Sequence, residues 1–154
     1  MNKREKIINK PKNQSTVSKG DAFENFVANV LEHEINSRAL GLDPRACQLY
    51  KKRKYFSRDR QADIIVDISI EFTLPGQSKW SILWIFECKD YSSSLPVNDV
   101  EEFYSKVQQI AGVNVKAVLV TSGSLQEGAL QFARSKGIGV ARRSEEHTSE
   151  LQSH

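Results

Sequence analysis

Glu87 and Lys89 stand two residues apart at the end of the apolar run ILWIF, so on an extended chain they share one face while Cys88 points to the other. A carboxylate and an ammonium closing an otherwise buried segment call for a physical reason, because burying either is costly unless it is paired or metal-bound. Asp63 lies near the start of the preceding apolar segment. If the two segments pair as an antiparallel hairpin, the beginning of one meets the end of the other, and Asp63, Glu87 and Lys89 converge at one edge. Two hard oxygen ligands with room for water suit Mg2+, which takes its remaining ligands from solvent and phosphate. Such an ion polarises a phosphoryl oxygen and lowers the pKa of a bound water, and a lysine beside it can orient or deprotonate that water and stabilise the pentacovalent charge. The chemistry these three residues suggest is phosphodiester hydrolysis.

The elements that must hold them are legible from periodicity. From about Asp21, Phe23, Phe26, Val27, Val30, Leu31 and Ile35 recur at helical spacing, and Ser18 or Asp21 can cap the start. Gly41 and Asp43-Pro44 break the pattern. Residues 62–72, ADIIVDISIEF, alternate as one strand, with Ile64, Val66, Ile68, Ile70 and Phe72 on one side and Asp63, Asp67, Ser69 and Glu71 on the other. LPGQSK carries a Pro-Gly turn signal, and WSILWIFECK follows as a central strand, apolar on both faces, so the two form a hairpin. Asn98 with Glu101 has capping-box spacing ahead of a stripe of Val100, Phe103, Val107 and Ile110. VKAVLVTSG reads as a buried strand, LQEGALQFARSKG as a helix stopped at Gly137, and IGVA as the start of a further strand. A hairpin followed by alternating helices and strands implies an α/β sandwich, with a mixed sheet flanked by helices.

The 154 residues suit one domain, and 22 Lys and Arg against 19 Asp and Glu give +3. The last twelve residues, RSEEHTSELQSH, resemble the in-frame translation of a sequencing-library adapter and show no helical or strand period, so they are left out of the fold expectation. Without them 142 residues carry 21 bases and 16 acids, a surplus of +5, and His33 is the one remaining histidine, which argues against mechanisms needing paired histidines. Cys47 and Cys88, 41 positions apart without CxxC or histidine partners, suggest neither a zinc site nor a disulfide. No signal-peptide core or membrane-spanning run is visible, so a soluble, cytoplasmic protein without membrane attachment is expected. The bases concentrate in one place: Lys51, Lys52, Arg53, Lys54, Arg58 and Arg60 fall within ten residues that hold one acid, Asp59. Such a run is ordinarily a solvated face. Just ahead of a phosphodiester site it reads as a strip contacting the DNA backbone.

Asp63, separated by 23 residues from Glu87-Cys88-Lys89, resembles the PD-(D/E)xK nuclease signature. More narrowly, GDAFENFVANVL, RDRQADIIVDISIEF, IFECKDY, VEEFYSKVQQIAG, KAVLVTSG and ALQFARSKGIGVAR together resemble the Mrr-like restriction endonuclease family from Gly20 to Arg142. The resemblance implies a restriction-endonuclease-like three-layer sandwich. It casts Asp63 and Glu87 as metal ligands with the Cys88 backbone carbonyl, Lys89 as the catalytic lysine, and Glu24 on the first helix as an accessory acid. Mg2+ is the implied cofactor, with Mn2+ as a substitute. Ala62 stands where the signature has proline. The implied organisation is a flexible basic arm over residues 1–19, a nuclease domain over 20–142 cut short at its C-terminal strand, and a non-native tail over 143–154.

Asp63 alone would read as a strand-edge turn residue, and Glu87 with Lys89 as an ion pair at a strand end; their expected convergence is what favours a metal site. Asp67 and Glu71 read as solvated acids or supports around the ligands, with Glu71 the outside candidate for a ligand. The Cys88 thiol reads as a small core group. The function implied is a metal-dependent DNA endonuclease acting on double-stranded DNA in restriction or defence against foreign or modified DNA. The alternatives are a structure-selective repair nuclease of the junction-resolving type and an inactive DNA-binding module of nuclease fold. No recognition helix is visible, so sequence preference would come from a specificity partner, a homodimer or DNA shape.

Overall fold

The computed structural model describes residues 15–110, 112–143 and 151–153. Helix α1 runs Ser15–Asn36 and buries Phe23, Val27, Ala28, Leu31 and Ile35 along one stripe. It begins six residues ahead of Asp21, so residues 15–19 of the expected arm are helical, while residues 1–14 lie outside the described part. A short 3-10 turn, Pro44–Ala46, is capped by the Asp43 carboxylate, which accepts from the Arg45 N–H. It leads into β1, Cys47–Lys51, followed by β2, Lys54–Ser57, β3, Ala62–Ile65, and β4, Ile68–Phe72. Then come β5, Ile82–Lys89; α2, Val97–Gln109; β6, Val115–Thr121; α3, Glu127–Ser135; β7, Gly139–Arg143; and β8, Leu151–Ser153.

The main sheet has the order β1-β4-β5-β6-β7-β8 and is mixed: β1·β4, β4·β5 and β7·β8 are antiparallel, whereas β5·β6 and β6·β7 are parallel. Alternation along β5 divides the core in two. Leu83 and Ile85 join Val100 and Phe103 of α2 and Ala129 and Ala133 of α3, while Phe86 joins Val27 and Leu31 of α1, Ile68, Ile70 and Val120. Helix α1 therefore covers one face and α2 with α3 the other, the expected three-layer sandwich. Gly137, at φ 71°, ends α3 in the left-handed conformation that glycine adopts without steric cost.

Three local expectations change. Residues 62–72 are a continuous chain but not one straight strand: Asp67 is a bend, and β3 belongs with β2 in a separate two-stranded ribbon. The ladder that pairs Lys51 with Ile68 and Lys54 with Ile65 keeps one register through the bend, where Lys52 N–H donates to the Asp67 carbonyl at 3.0 Å and Val66 N–H to the Arg53 carbonyl at 3.1 Å. Ile64 and Val66 consequently pack on the α2 and α3 side and Ile68 and Ile70 on the α1 side. Helix α2 starts earlier than its capping-box spacing implies. Pro96 is its N-cap, without a side-chain cap bond, and Asn98 lies inside the helix. The excluded tail also contributes backbone: Arg143 ends β7 and Leu151–Ser153 pair with it as β8, residues 144–150 and 154 lying outside the described part. Leu151–Ser153 need no hydrophobic pattern to do so, because the free edge of β7 offers unpaired N–H and C=O groups to any extended segment.

Candidate active site

Register brings the chemistry together. In the β4·β5 ladder Ile68 faces Phe86, so the next step outward sets Asp67 beside Glu87. The Asp67 Oδ2 accepts from the Cys88 backbone N–H at 2.9 Å, tying the bend to β5. The Asp67 Oδ1 accepts from Lys52 Nζ at 3.1 Å, and the same ammonium donates to Glu24 Oε1 at 2.6 Å. Helix α1, the bend and the β1–β2 connection thus meet at one ammonium.

Glu87 is only 8% exposed. Burial, and then the charge of Asp67, push its carboxyl above the ordinary value, against the opposing pull of Lys106 and Lys89. Lys106 Nζ, one helical turn beyond the buried Phe103, stands 3.6 Å from Glu87 Oε1, an ion-pair separation longer than a hydrogen bond. Lys89 closes β5 beside Thr121 of β6, and its carbonyl accepts from the Ser122 N–H at 3.1 Å. Glu24 is also pushed up, first by burial and further by Asp67, with Lys52 opposing. Burial works against the charge of Lys52, but its bonds to Glu24 and Asp67 outweigh that and hold its pKa above the ordinary lysine value. The Cys88 side chain packs on the α1 side and burial pushes its thiol well up, as a core group rather than a nucleophile.

Asp63 is not brought to this site. It lies on the exposed face of the ribbon, paired with Phe56, four residues up the chain from the position beside Glu87. An Asp63–Glu87 pair would need the hairpin register shifted by four, and the Phe72–Ile82 closing pair prevents that. Asp67, expected to be solvated or supporting, is the acid in that place, its side chain 18% exposed. Nothing local marks it out, because Asp63 and Asp67 share the same alternation and only the closing pair of the hairpin distinguishes them. Glu71 is engaged elsewhere: its Oε2 accepts from Tyr55 O–H at 2.7 Å and forms an ion pair with Arg53 Nε at 2.7 Å, while Tyr55 O–H also bonds Ser69 Oγ at 2.8 Å.

The basic run is not one strip. Lys52 turns into the carboxylates; Arg53 pairs with Glu71 and lies 3.8 Å from the centre of the Tyr50 ring. Lys51 donates to Asn25 Oδ1 at 3.0 Å and Arg60 Nε to Gln109 Oε1 at 2.7 Å, amide partners that leave both charges unneutralised. Lys54 and Arg58 are exposed on the ribbon, beside Phe56 and Ile65, which are 56% and 52% exposed.

The donor set suits a hard divalent cation. The Asp67 carboxylate at the bend before β4 and the Glu87 carboxylate near the end of β5 are both largely withdrawn from water, and burial, then the charge of Asp67, raises the pKa of Glu87, a tension that a cation near both would relieve. Among the described residues no group of three His, Cys, Asp or Glu side chains stands ready to enclose an ion.

A restriction endonuclease family model, that of the Mrr catalytic domain, matches residues 17–145. The chain belongs to this family. It is therefore a nuclease-type domain, and the family match and the three-layer architecture agree. No curated relative matches it. Among solved structures it is similar to a protein of unknown function, AF1548, at 14% identity and TM-score 0.51, over 76% of this chain and 60% of that one. It also resembles a repair endonuclease from Pyrococcus abyssi, at 20% identity and TM-score 0.49, over 76% and 45% of the two chains. The restriction endonuclease MspJI, solved in complex with a 27-mer oligonucleotide, matches at 17% identity and TM-score 0.48, over 79% and 25%. The chain thus spans less than two thirds of the length of each. Among the described residues no helix is long and apolar enough to cross a membrane.

Proposed function

We propose that the chain is the catalytic domain of a divalent-metal-dependent endonuclease that hydrolyses phosphodiester bonds of double-stranded DNA, in restriction of foreign or modified DNA. The observation that carries this reading is the bend that ties Asp67 to the Cys88 N–H, next to the desolvated Glu87 at the end of β5, with Lys89 two residues beyond, in a chain of the restriction endonuclease family. Asp67, Glu87 and the Cys88 carbonyl would hold Mg2+, or Mn2+ in its place, which when bound supplies a polarised phosphoryl oxygen and an acidified water. Lys89 orients or deprotonates the attacking water and balances the charge that builds on phosphorus. Lys106 opposes the rise that burial and Asp67 impose on the Glu87 carboxyl, and Glu24 acts as an accessory acid through the Lys52 ammonium it shares with Asp67.

Lys51 at the end of β1 and Lys54, Arg58 and Arg60 along the ribbon that rises directly from Asp67 contact the DNA backbone, whereas Lys52 and Arg53 are committed to internal carboxylates. These contacts carry no base information, so sequence preference comes from a separate specificity partner, from a homodimer or from DNA shape.

The test is cleavage of supercoiled plasmid in Mg2+ and in EDTA, by the wild type and by Glu87→Gln and Lys89→Ala. Nicking that needs metal and is lost in both variants is expected; cleavage that persists in EDTA or survives Glu87→Gln overturns the reading. Salt-sensitive DNA binding without cleavage would mark a binding module instead. Preferential cutting of four-way junctions over linear and methylated duplexes would mark junction resolution in place of restriction.

A further inference from the structure

We propose that Lys52 is a tethered counter-ion of the metal site, an ammonium that occupies Asp67 when no metal is bound and that a divalent ion must displace. The inference rests on the reading of Asp67 as a ligand and adds to it a competitor built into the chain.

Three observations carry it. The first is saturation. Asp67 has two oxygens, and both are engaged, Oδ2 by the Cys88 N–H at 2.9 Å and Oδ1 by Lys52 Nζ at 3.1 Å. The Cys88 bond holds the bend against β5, so Oδ1 is the oxygen that can change partner, and an ion that takes it meets the ammonium. The second is placement. Lys52 stands at φ 54° in the β1–β2 connection, one of three non-glycine residues of positive φ among the described residues, and its own N–H is bonded to the Asp67 carbonyl. Backbone and side chain of Lys52 therefore address the same residue, and the ammonium is returned to Asp67 whenever the site is vacated. The third is an exit. Glu24 and Asp67 side chains are 15% and 18% exposed, but that of Lys52 is 52% exposed, so its ammonium can leave Asp67 for water while remaining beside Glu24. The device keeps the carboxylates neutralised in the apo domain and sets how tightly the metal is held.

The test is metal binding without DNA, read by calorimetric titration of Mg2+ or Ca2+ into the full chain, so no readout depends on activity. An adjacent unit charge changes a carboxylate's affinity for a proton by about tenfold or more, and a divalent ion senses it at least as strongly. Lys52→Met, which keeps the apolar stem, is expected to bind metal about tenfold more tightly. It should also melt lower than wild type in EDTA and recover that loss in metal. Lys52→Arg, which keeps the charge, should stay close to wild type and serves if the methionine variant folds poorly. Lys51→Met removes the same charge one residue away, from Asn25 rather than Asp67, and should move the affinity no more than about twofold, since exposed charges act weakly through water. Unchanged or weaker metal binding in Lys52→Met, or equal gains in Lys52→Met and Lys51→Met, overturns the proposal. Asp67→Asn separates the two levels: wild-type metal affinity there overturns the ligand reading itself, whereas lost affinity together with an unaffected Lys52→Met overturns the counter-ion alone.

Discussion

Asp63→Asn and Asp67→Asn, four residues apart on one chain segment, give the sharpest test of the register. Asp67 loses its charge in the variant but keeps an acceptor, since the amide oxygen of asparagine can still receive the Cys88 N–H now bonded at 2.9 Å. The change from a charge-assisted to a neutral bond costs about 1 kcal/mol. The Lys52 contact, to an ammonium half exposed to water, contributes at most about 1 kcal/mol. Against this, Glu24 and Glu87 are both pushed up by the charge of Asp67, and its removal relieves both. The terms nearly offset, leaving a net loss of about 1 kcal/mol or less, or roughly 2–4 °C in melting temperature for a chain of this size. Activity behaves differently. If Asp67 holds the ion that stabilises the phosphoryl charge, its neutralisation forfeits about 4 kcal/mol of that stabilisation, a fall of roughly 10³ in cleavage rate. Asp63, exposed on the ribbon and paired across it with Phe56, should tolerate asparagine within about 0.5 kcal/mol and keep cleavage within about twofold. Plasmid nicking at saturating Mg2+, with thermal melts of the same preparations, reads both quantities. A hundredfold loss in Asp63→Asn beside a nearly active Asp67→Asn would refute the register argument.

Two further outcomes follow from the same geometry. The Glu87 carboxyl has a folded pKa above its ordinary 4.5, so its contribution to stability is fully present below that value and is lost as pH rises through the folded pKa. Ionised Glu87 is then a net cost at neutral pH, and Glu87→Gln should melt at or above the wild-type temperature at pH 7.5, with that advantage gone at pH 4; a clear loss of stability at pH 7.5 would contradict this. Tyr55→Phe removes the hydroxyl that joins the ribbon to Ser69 and Glu71, leaving the fully buried Ser69 without that partner. A loss of about 1–3 kcal/mol is expected in denaturant melts, with faster amide exchange over residues 54–65 than in the rest of the sheet.

Local pattern and tertiary structure divide the protein along a physical line. Whatever depends on near neighbours is legible in the order of residues: the α1 stripe from Phe23 to Ile35, the apolar β5 with Glu87 and Lys89 on one face, the buried β6, and the α3 stop at Gly137. These follow from the 3.6- and 2-residue periods and from the scarcity of residues that tolerate positive φ. Together with the family resemblance they sufficed for a three-layer sandwich and for setting Glu87 and Lys89 at the end of its central strand. Which acid comes next to the end of β5 depends on the folded register. Asp63 and Asp67 alternate identically, and the choice between them lies in the register across the nine residues between Phe72 and Ile82, which the Pro-Gly signal does not specify. The bend at Asp67 is equally invisible, because the alternation of Ile64, Val66, Ile68 and Ile70 runs through it unbroken while the packing partners change from α2 and α3 to α1. The basic run shows the same division: its composition suggested one strip, but Lys52 meets Asp67 and Glu24 across 15 and 28 residues of chain. Charge is counted along the sequence, whereas which charges remain free for a ligand is settled by partners that only folding brings within reach.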